Sequence, residues 1–242
     1  DRVVLSGLFS ASDASLPAEL TSKLNTLGVS TAQFFSNAVN TTNTGIDMVA
    51  DYQKKISNTE RFKILFVANF QNIAIDEVHI PDALNTNEYN ANTFFNDREK
   101  YFLKASAPKS KFSTSFDYTK NKISLGARVT YFGDVALTGF GVNGDGINPQ
   151  VPADADETGN TLVPEIFNYK GKFTTDIYMN IQVRKTTALI IGADNIFNVH
   201  PDFAVNPQAK WWAGDNETGG PWDAVQMGYN GLRLFTKLTF KF

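Results

Sequence analysis

The chain has 242 residues, 42% hydrophobic and 13% aromatic, with 20 Phe against 8 Tyr and 3 Trp and a formal net charge of -3. No apolar run approaches the roughly 18–20 residues of a membrane helix, which excludes a helical membrane protein; a mean hydropathy of -0.23 fits a β-barrel, in which only alternate residues face lipid. Charges of both signs are interspersed along the sequence, unlike the basic patches of nucleic-acid binders, and zero Cys suits passage through an oxidising periplasm.

Asp1-Arg2 leads straight into a strand-like run, Arg2–Phe9, without a leader-like segment, as expected of a processed chain or of one that begins inside a larger chain. Residues 10–42 are irregular apart from Pro17–Leu27. There Leu16, Leu20, Leu24 and Leu27 fall at helical spacing, with Pro17 in the first turn and Gly28 as the stop. Gly45–Gln53 alternates with period 2, the mark of a strand between two different surroundings. Arg61–Ile75 follows, with Phe62, Ile64, Phe66, Ala68 and Phe70 on one face. At 15 residues it exceeds the roughly 9–11 that cross a bilayer, so part of it should project beyond.

A long connection, 76–110, contains a helix-periodic stretch, Thr93–Ala105. Lys111–Tyr118 and Lys122–Phe132 are the next strands, and residues 133–168, rich in Gly, Asn, Asp and Pro, form another long connection. Lys172–Arg184 alternates cleanly, Thr187–Phe197 continues after a tight corner, and Tyr229–Phe242 runs to the last residue. About eight antiparallel strands result, with connections that alternate long and short. Outer-membrane barrels have short periplasmic turns and long outer loops, whereas a soluble sandwich has no reason to keep one end compact. The fold class is therefore an all-β, antiparallel transmembrane barrel, and residues 1–242 read as a single domain. Alternation places Asp47, Asp51, Lys63, Asp117, Arg128, Asp176, Arg184, Arg233 and Lys237 on the inward face, where they would solvate a lumen.

Catalytic constellations are missing from the sequence: there is no phosphate loop, nucleophile elbow or His–acid pair, so the chain reads as a non-enzyme with no cofactor or metal. The two histidines, His79 and His200, read as polar loop residues. The acidic stretches Gly141–Asn148 and Asp154–Glu157 depart from calcium-loop spacing and read as turns. Trp211, Trp212 and Trp222 lie beside Asp215 in the last outer loop. They suit a sugar or siderophore by stacking and polar anchoring, but one loop alone does not define a site, and an interfacial girdle or a loop packed on itself is the favoured reading.

Gly192–Asp202 (GADNIFNVHPD) resembles the penultimate-strand motif of TonB-dependent outer-membrane receptors, a G-x-x-N-[LI]-F-N run leading into an outer loop. Asn37–Asp47 is similar to a strand approach common in that family, and the Pro108–Lys111 run "PKSK" to the start of another of its strands. The resemblance implies the C-terminal part of a roughly 22-stranded barrel of the bacterial outer membrane, closed in the family by an N-terminal plug that has no counterpart in this sequence. It further implies import of a scarce nutrient (an iron chelate, cobalamin or oligosaccharide). The implied partners are outer-membrane lipid, the plug and remaining strands, and an inner-membrane energy-coupling complex acting through the plug. Leu238, Phe240 and Phe242 resemble the terminal signal read by barrel-assembly machinery. Other readings are a self-contained eight-stranded barrel serving as adhesin or small porin, and a secreted carbohydrate-binding β-sandwich.

Overall fold

The alternating runs fold into one antiparallel sheet. Its strands are β3 (Val39–Ser57), β4 (Glu60–Val78), β5 (Ser110–Lys120), β6 (Ile123–Phe132), β11 (Lys172–Arg184), β12 (Thr187–Asp194) and β13 (Arg233–Phe240). They hydrogen-bond in the order β13-β12-β11-β6-β5-β4-β3, so strands adjacent along the chain's main path are neighbours in space. The computed structural model describes residues 9–10, 18–28, 31–32, 38–81, 85, 88–209 and 226–241. Within these residues the sheet has seven strands rather than about eight and does not close; β3 and β13 are its edges. Of the expected first strand, residues 2–8 lie outside the described residues. Phe9–Ser10 (β1) pairs with Thr31–Ala32 (β2) in a separate two-stranded piece, and α1 (Ala18–Thr26) realises the short helix. No helix among the described residues is long and apolar enough to cross a membrane.

The connections alternate as expected. Three short turns at 58–59, 121–122 and 185–186 lie at one end of the sheet, and three long connections, 79–109, 133–171 and 195–232, at the other. β3 and β4 are 19 residues each, about 60 Å at ~3.3 Å per residue, twice the thickness of a bilayer's hydrocarbon core. Their outer halves therefore rise well past their neighbours.

Most of the buried core lies in the long connections and where they meet the outer ends of β3 and β4. α2 (Glu88–Phe94) and α3 (Asp97–Ala105) fill the first connection; β7 (Val135–Thr138), β8 (Gln150–Pro152), β9 (Leu162–Pro164) and β10 (Ile166–Tyr169) occupy the second. Val135, Leu137, Phe167 and Tyr169 from the paired β7 and β10 pack with Phe102 and Ala105 of α3 and with Ala204. A second cluster joins Ala38 and Val39 to Phe95, with Ile75, Val78, Phe94 and Leu103 against it.

Several boundaries differ from the sequence reading. β3 spans Val39–Ser57 where alternation gave Gly45–Gln53, because residues 39–44 pair along the outer part of β4. The helix expected over 93–105 is two helices, because the Asn96 side chain accepts from the Glu99 amide at 2.9 Å and so caps α3 where α2 ends. β12 stops at Asp194 instead of Phe197, since Asn195 adopts φ 48°. β13 begins at Arg233 instead of Tyr229, and the connection 133–168, read as irregular, carries four short strands.

Candidate functional site

Cross-strand partners share a face of the sheet, so the register assigns the predicted inward residues directly. One row runs Asp51, Leu65, Ser115, Arg128, Asp176, with Asp194 and Arg233 continuing it; the next runs Gln53, Lys63, Asp117, Gly126, Tyr178, Gly192, Phe235. Asp47, Asp51, Lys63, Asp117, Arg128, Asp176, Arg233 and Lys237 all stand on this polar face. Arg184 is set apart: a bulge after Gln182 places it opposite Thr187 at the hairpin end, where it is exposed and parity no longer assigns its face.

Most of these charges are partnered. Lys63 pairs with Asp51 at 2.7 Å, Asn69 donates to Asp47 at 2.7 Å, Arg128 Nε donates to Ser115 at 3.3 Å, and Arg233 Nε donates to Asp194 at 2.7 Å. The Tyr178 hydroxyl donates to Asp117. Exposed pairs of this kind add at most about 1 kcal/mol each, so they shape a hydrated wall rather than hold the sheet together. Two glycines serve the same face. A Cβ on Gly126 would stand 2.2 Å from Tyr178 Cζ, and one on Gly192 2.5 Å from Phe235 Cζ, so an aromatic ring from the neighbouring strand lies over each.

The Gly192–Asn198 motif has a physical role in this setting. Past Gly192, the Asn195 amide donates to Asp176 at 2.9 Å; its side chain accepts from the Val199 amide at 2.9 Å and donates to the Val199 carbonyl at 2.8 Å. Asn198, at φ 53°, accepts from the Leu232 amide at 2.9 Å. Two asparagines thus turn the chain out of β12 and fix where it returns to β13. Sequence reasoning quoted the motif without singling out either residue, although a left-handed turn residue after a strand is what Asn supplies.

The other face carries the apolar positions, and nothing among the described residues covers it. Leu234 is 75% exposed, Ile46 65%, Phe240 56% and Leu125 50%. Toward the long connections, rings from four neighbouring strands form a ladder: Phe66–Phe112 at 6.4 Å, Phe112–Tyr131 at 4.8 Å and Tyr131–Phe173 at 4.7 Å. Toward the short turns lie Tyr52, Phe62, Tyr118 and Phe240, with the Tyr118 hydroxyl on Glu60. An apolar band between two aromatic fringes matches the lipid-facing band of membrane barrels.

The fold also sorts charges that look interspersed in sequence. The first short turn carries Lys54, Lys55 and Arg61 against Glu60; the second Lys120 and Lys122; the third Arg184 and Lys185; and Lys237 lies in β13 with Lys241 just past its end. None of these cations makes an ion pair among the described residues. Carboxylates gather in the long connections instead. There Lys100 and the Asn148 amide hold Asp97 below the usual carboxylate range, with burial pulling the other way. For Asp202 burial acts upward, but Lys172 and the Lys170 amide together prevail and lower it. Asp156 is lowered by its bonds to Thr158 and Thr161, closing a turn, and Asp145 accepts from the Ile147 amide in another. His79 lies against Glu77 and Asn40.

Leu238 and Phe240 are on the apolar face; Phe242, Trp211, Trp212, Asp215 and Trp222 lie outside the described residues. A pocket of about 340 Å³ opens on the long-connection side between β4 and the α3–β5 link, lined by Gln71, Ile73, Ile75, Lys104 and Lys109 among others.

No protein-family model matches the chain, and no curated protein does. Among solved structures, the complex of FpvAI with pyocin S2 aligns with 97% of this chain at 10% identity and a TM-score of 0.44. P. aeruginosa FpvA bound to heterologous pyoverdines aligns over 97% at 9% identity and a TM-score of 0.43. At these identities the likeness is a distant one. In each case the chain spans 22% of the other protein's length, about a fifth.

Proposed function

We propose that this chain is a wall segment, the C-terminal one, of the barrel of a TonB-dependent receptor in the bacterial outer membrane. The receptor imports a scarce nutrient such as an iron chelate, cobalamin or an oligosaccharide, and the chain has a transport role rather than a catalytic one. The observation that carries the reading is the two-faced sheet: an uncovered apolar band edged by aromatic rings on one side, and rows of partnered charges on the other. A β-sandwich would bury the apolar face against a second sheet. A self-contained eight-stranded barrel would set its first strand, Arg2–Phe9, between β3 and β13; among the described residues β3 and β13 are edges, and Phe9–Ser10 pairs with Thr31–Ala32 instead. The resemblances at Gly192–Asp202 and Asn37–Asp47 give the reading its family, and the nutrient would enter from the long-connection side.

The test compares two exposed positions on opposite faces. Leu234→Arg puts a cation on the apolar band and should cost roughly 2–4 kcal/mol of stability in lipid, while Val49→Arg on the polar face should cost far less. Equal effects in a refolding titration into liposomes would remove the membrane reading.

A further inference from the structure

The basic rim at the short-turn end meets the apolar band in one defined place. A groove of about 600 Å³ runs there, lined by Tyr118, Lys120, Asn121, Lys122, Ile123 and Leu125. Ile123 and Leu125 are exposed on the apolar face, at 45% and 50%. Lys120, the last residue of β5, has the parity of Phe116 and Tyr118, so its ammonium stands where the apolar band ends. Asn121 turns the chain at φ 54°, tied to the Thr59 carbonyl at 2.8 Å, and brings Lys122 to the same rim. The cross-strand partner of Lys120 is Glu60, whose carboxylate is engaged by the Tyr118 hydroxyl, and neither lysine has an ion pair among the described residues.

Resting on the membrane reading above, we propose that this groove binds an anionic phospholipid of the short-turn leaflet. Its phosphate sits on Lys120 and Lys122, and its acyl chains lie along Tyr118, Ile123 and Leu125. Charge complementarity selects the occupant. An apolar trough ending in two unpaired ammonium groups fits a molecule with a hydrocarbon body and an anionic head, and ammonium is a compact donor suited to phosphate. Long lysine stems can cover apolar surface while their heads reach the headgroup layer. Lys54, in the same cross-strand row as Tyr118 and Leu125, adds positive potential from the neighbouring hairpin.

Native mass spectrometry of the chain in detergent, titrated with dioleoylphosphatidylglycerol or dioleoylphosphatidylcholine, tests this. The chain should retain phosphatidylglycerol over phosphatidylcholine. K120Q/K122Q should lower that preference roughly thirtyfold, at about fivefold per lysine. K104Q/K109Q, on the long-connection side, should leave it unchanged. Equal retention of the two lipids, or a preference that survives K120Q/K122Q, overturns the proposal while leaving the membrane reading standing. Retention of soluble polyglutamate with no phosphatidylglycerol preference assigns the rim to an acidic protein segment and also overturns it. Retention of neither lipid, with Leu234→Arg and Val49→Arg equal in cost, sinks both readings.

Discussion

Tyr178 and Gly126 show how a single pair of residues fixes the geometry of the polar face. The ring of Tyr178 occupies the space a Cβ on Gly126 would need, and Asp117 holds its hydroxyl from the strand beyond. Gly126→Ala should therefore destabilise by about 1–3 kcal/mol through overpacking, although alanine is otherwise the better strand residue. In a Tyr178→Ala background the same change should be neutral or stabilising, because the obstructing ring is gone. A double-mutant cycle in a refolding titration reads the coupling. Additive effects would mean that the ring does not rest on the glycine. The sequence showed that Gly126 and Asp117 share a polar face, since parity alone decides that. It could not show that the Tyr178 ring crosses over Gly126 to reach Asp117, because cross-strand neighbours depend on a register set by turn geometry.

At the scale of elements, period-2 alternation made the strands legible and local capping chemistry hid the rest. β11 has the bounds its alternation gave, Lys172–Arg184, because a strand between two unlike surroundings must sort its side chains. The stretch 93–105 kept a helical period across a break made by one side chain. Asn96 caps α3 through the Glu99 amide, and its Nδ2 donates to the Asp145 carbonyl at 2.8 Å, joining the first long connection to the second. Asn96→Ala should cost about 1–2 kcal/mol locally and speed hydrogen exchange at the Glu99 amide. Asn96→Asp keeps the cap acceptor and loses the link to Asp145, so its exchange should stay near wild type while the 141–148 loop loosens. Identical exchange in the Ala and Asp variants would contradict the capping role. The short strands β7 and β10 escaped the sequence reading for a related reason: four residues carry little periodicity, and Gly, Asn and Pro dominate their surroundings.

For the whole molecule, the legible part was the parity of connections, and the illegible part was the sorting of charge. The alternation of long and short links placed the turns at one end of the sheet before any contact was known. The gathering of cations at that end emerges only when hairpins distant in sequence are set side by side. The same side-by-side packing leaves two edges. β3 and β13 each present one row of backbone groups without a partner among the described residues, whereas β6 and β11 are paired on both sides. Unpaired edges invite further pairing, and in a membrane every backbone group must find a partner. A lone copy in lipid must therefore satisfy those edges with another chain or with its own residues beyond the described ones. The expected outcome is that, in detergent, outward-directed amides of β3 and β13 exchange orders of magnitude faster than those of β6 and β11. At high protein density in bilayers the slow set should grow to include β3 as copies pair edge to edge, with chemical cross-linking showing dimers and larger species. If β3 and β13 are already as protected as β6 in dilute monomer, the edges are closed within the chain, with each other or through Arg2–Phe9. The chain would then close as a small barrel of its own, and the wall-segment reading would give way to it.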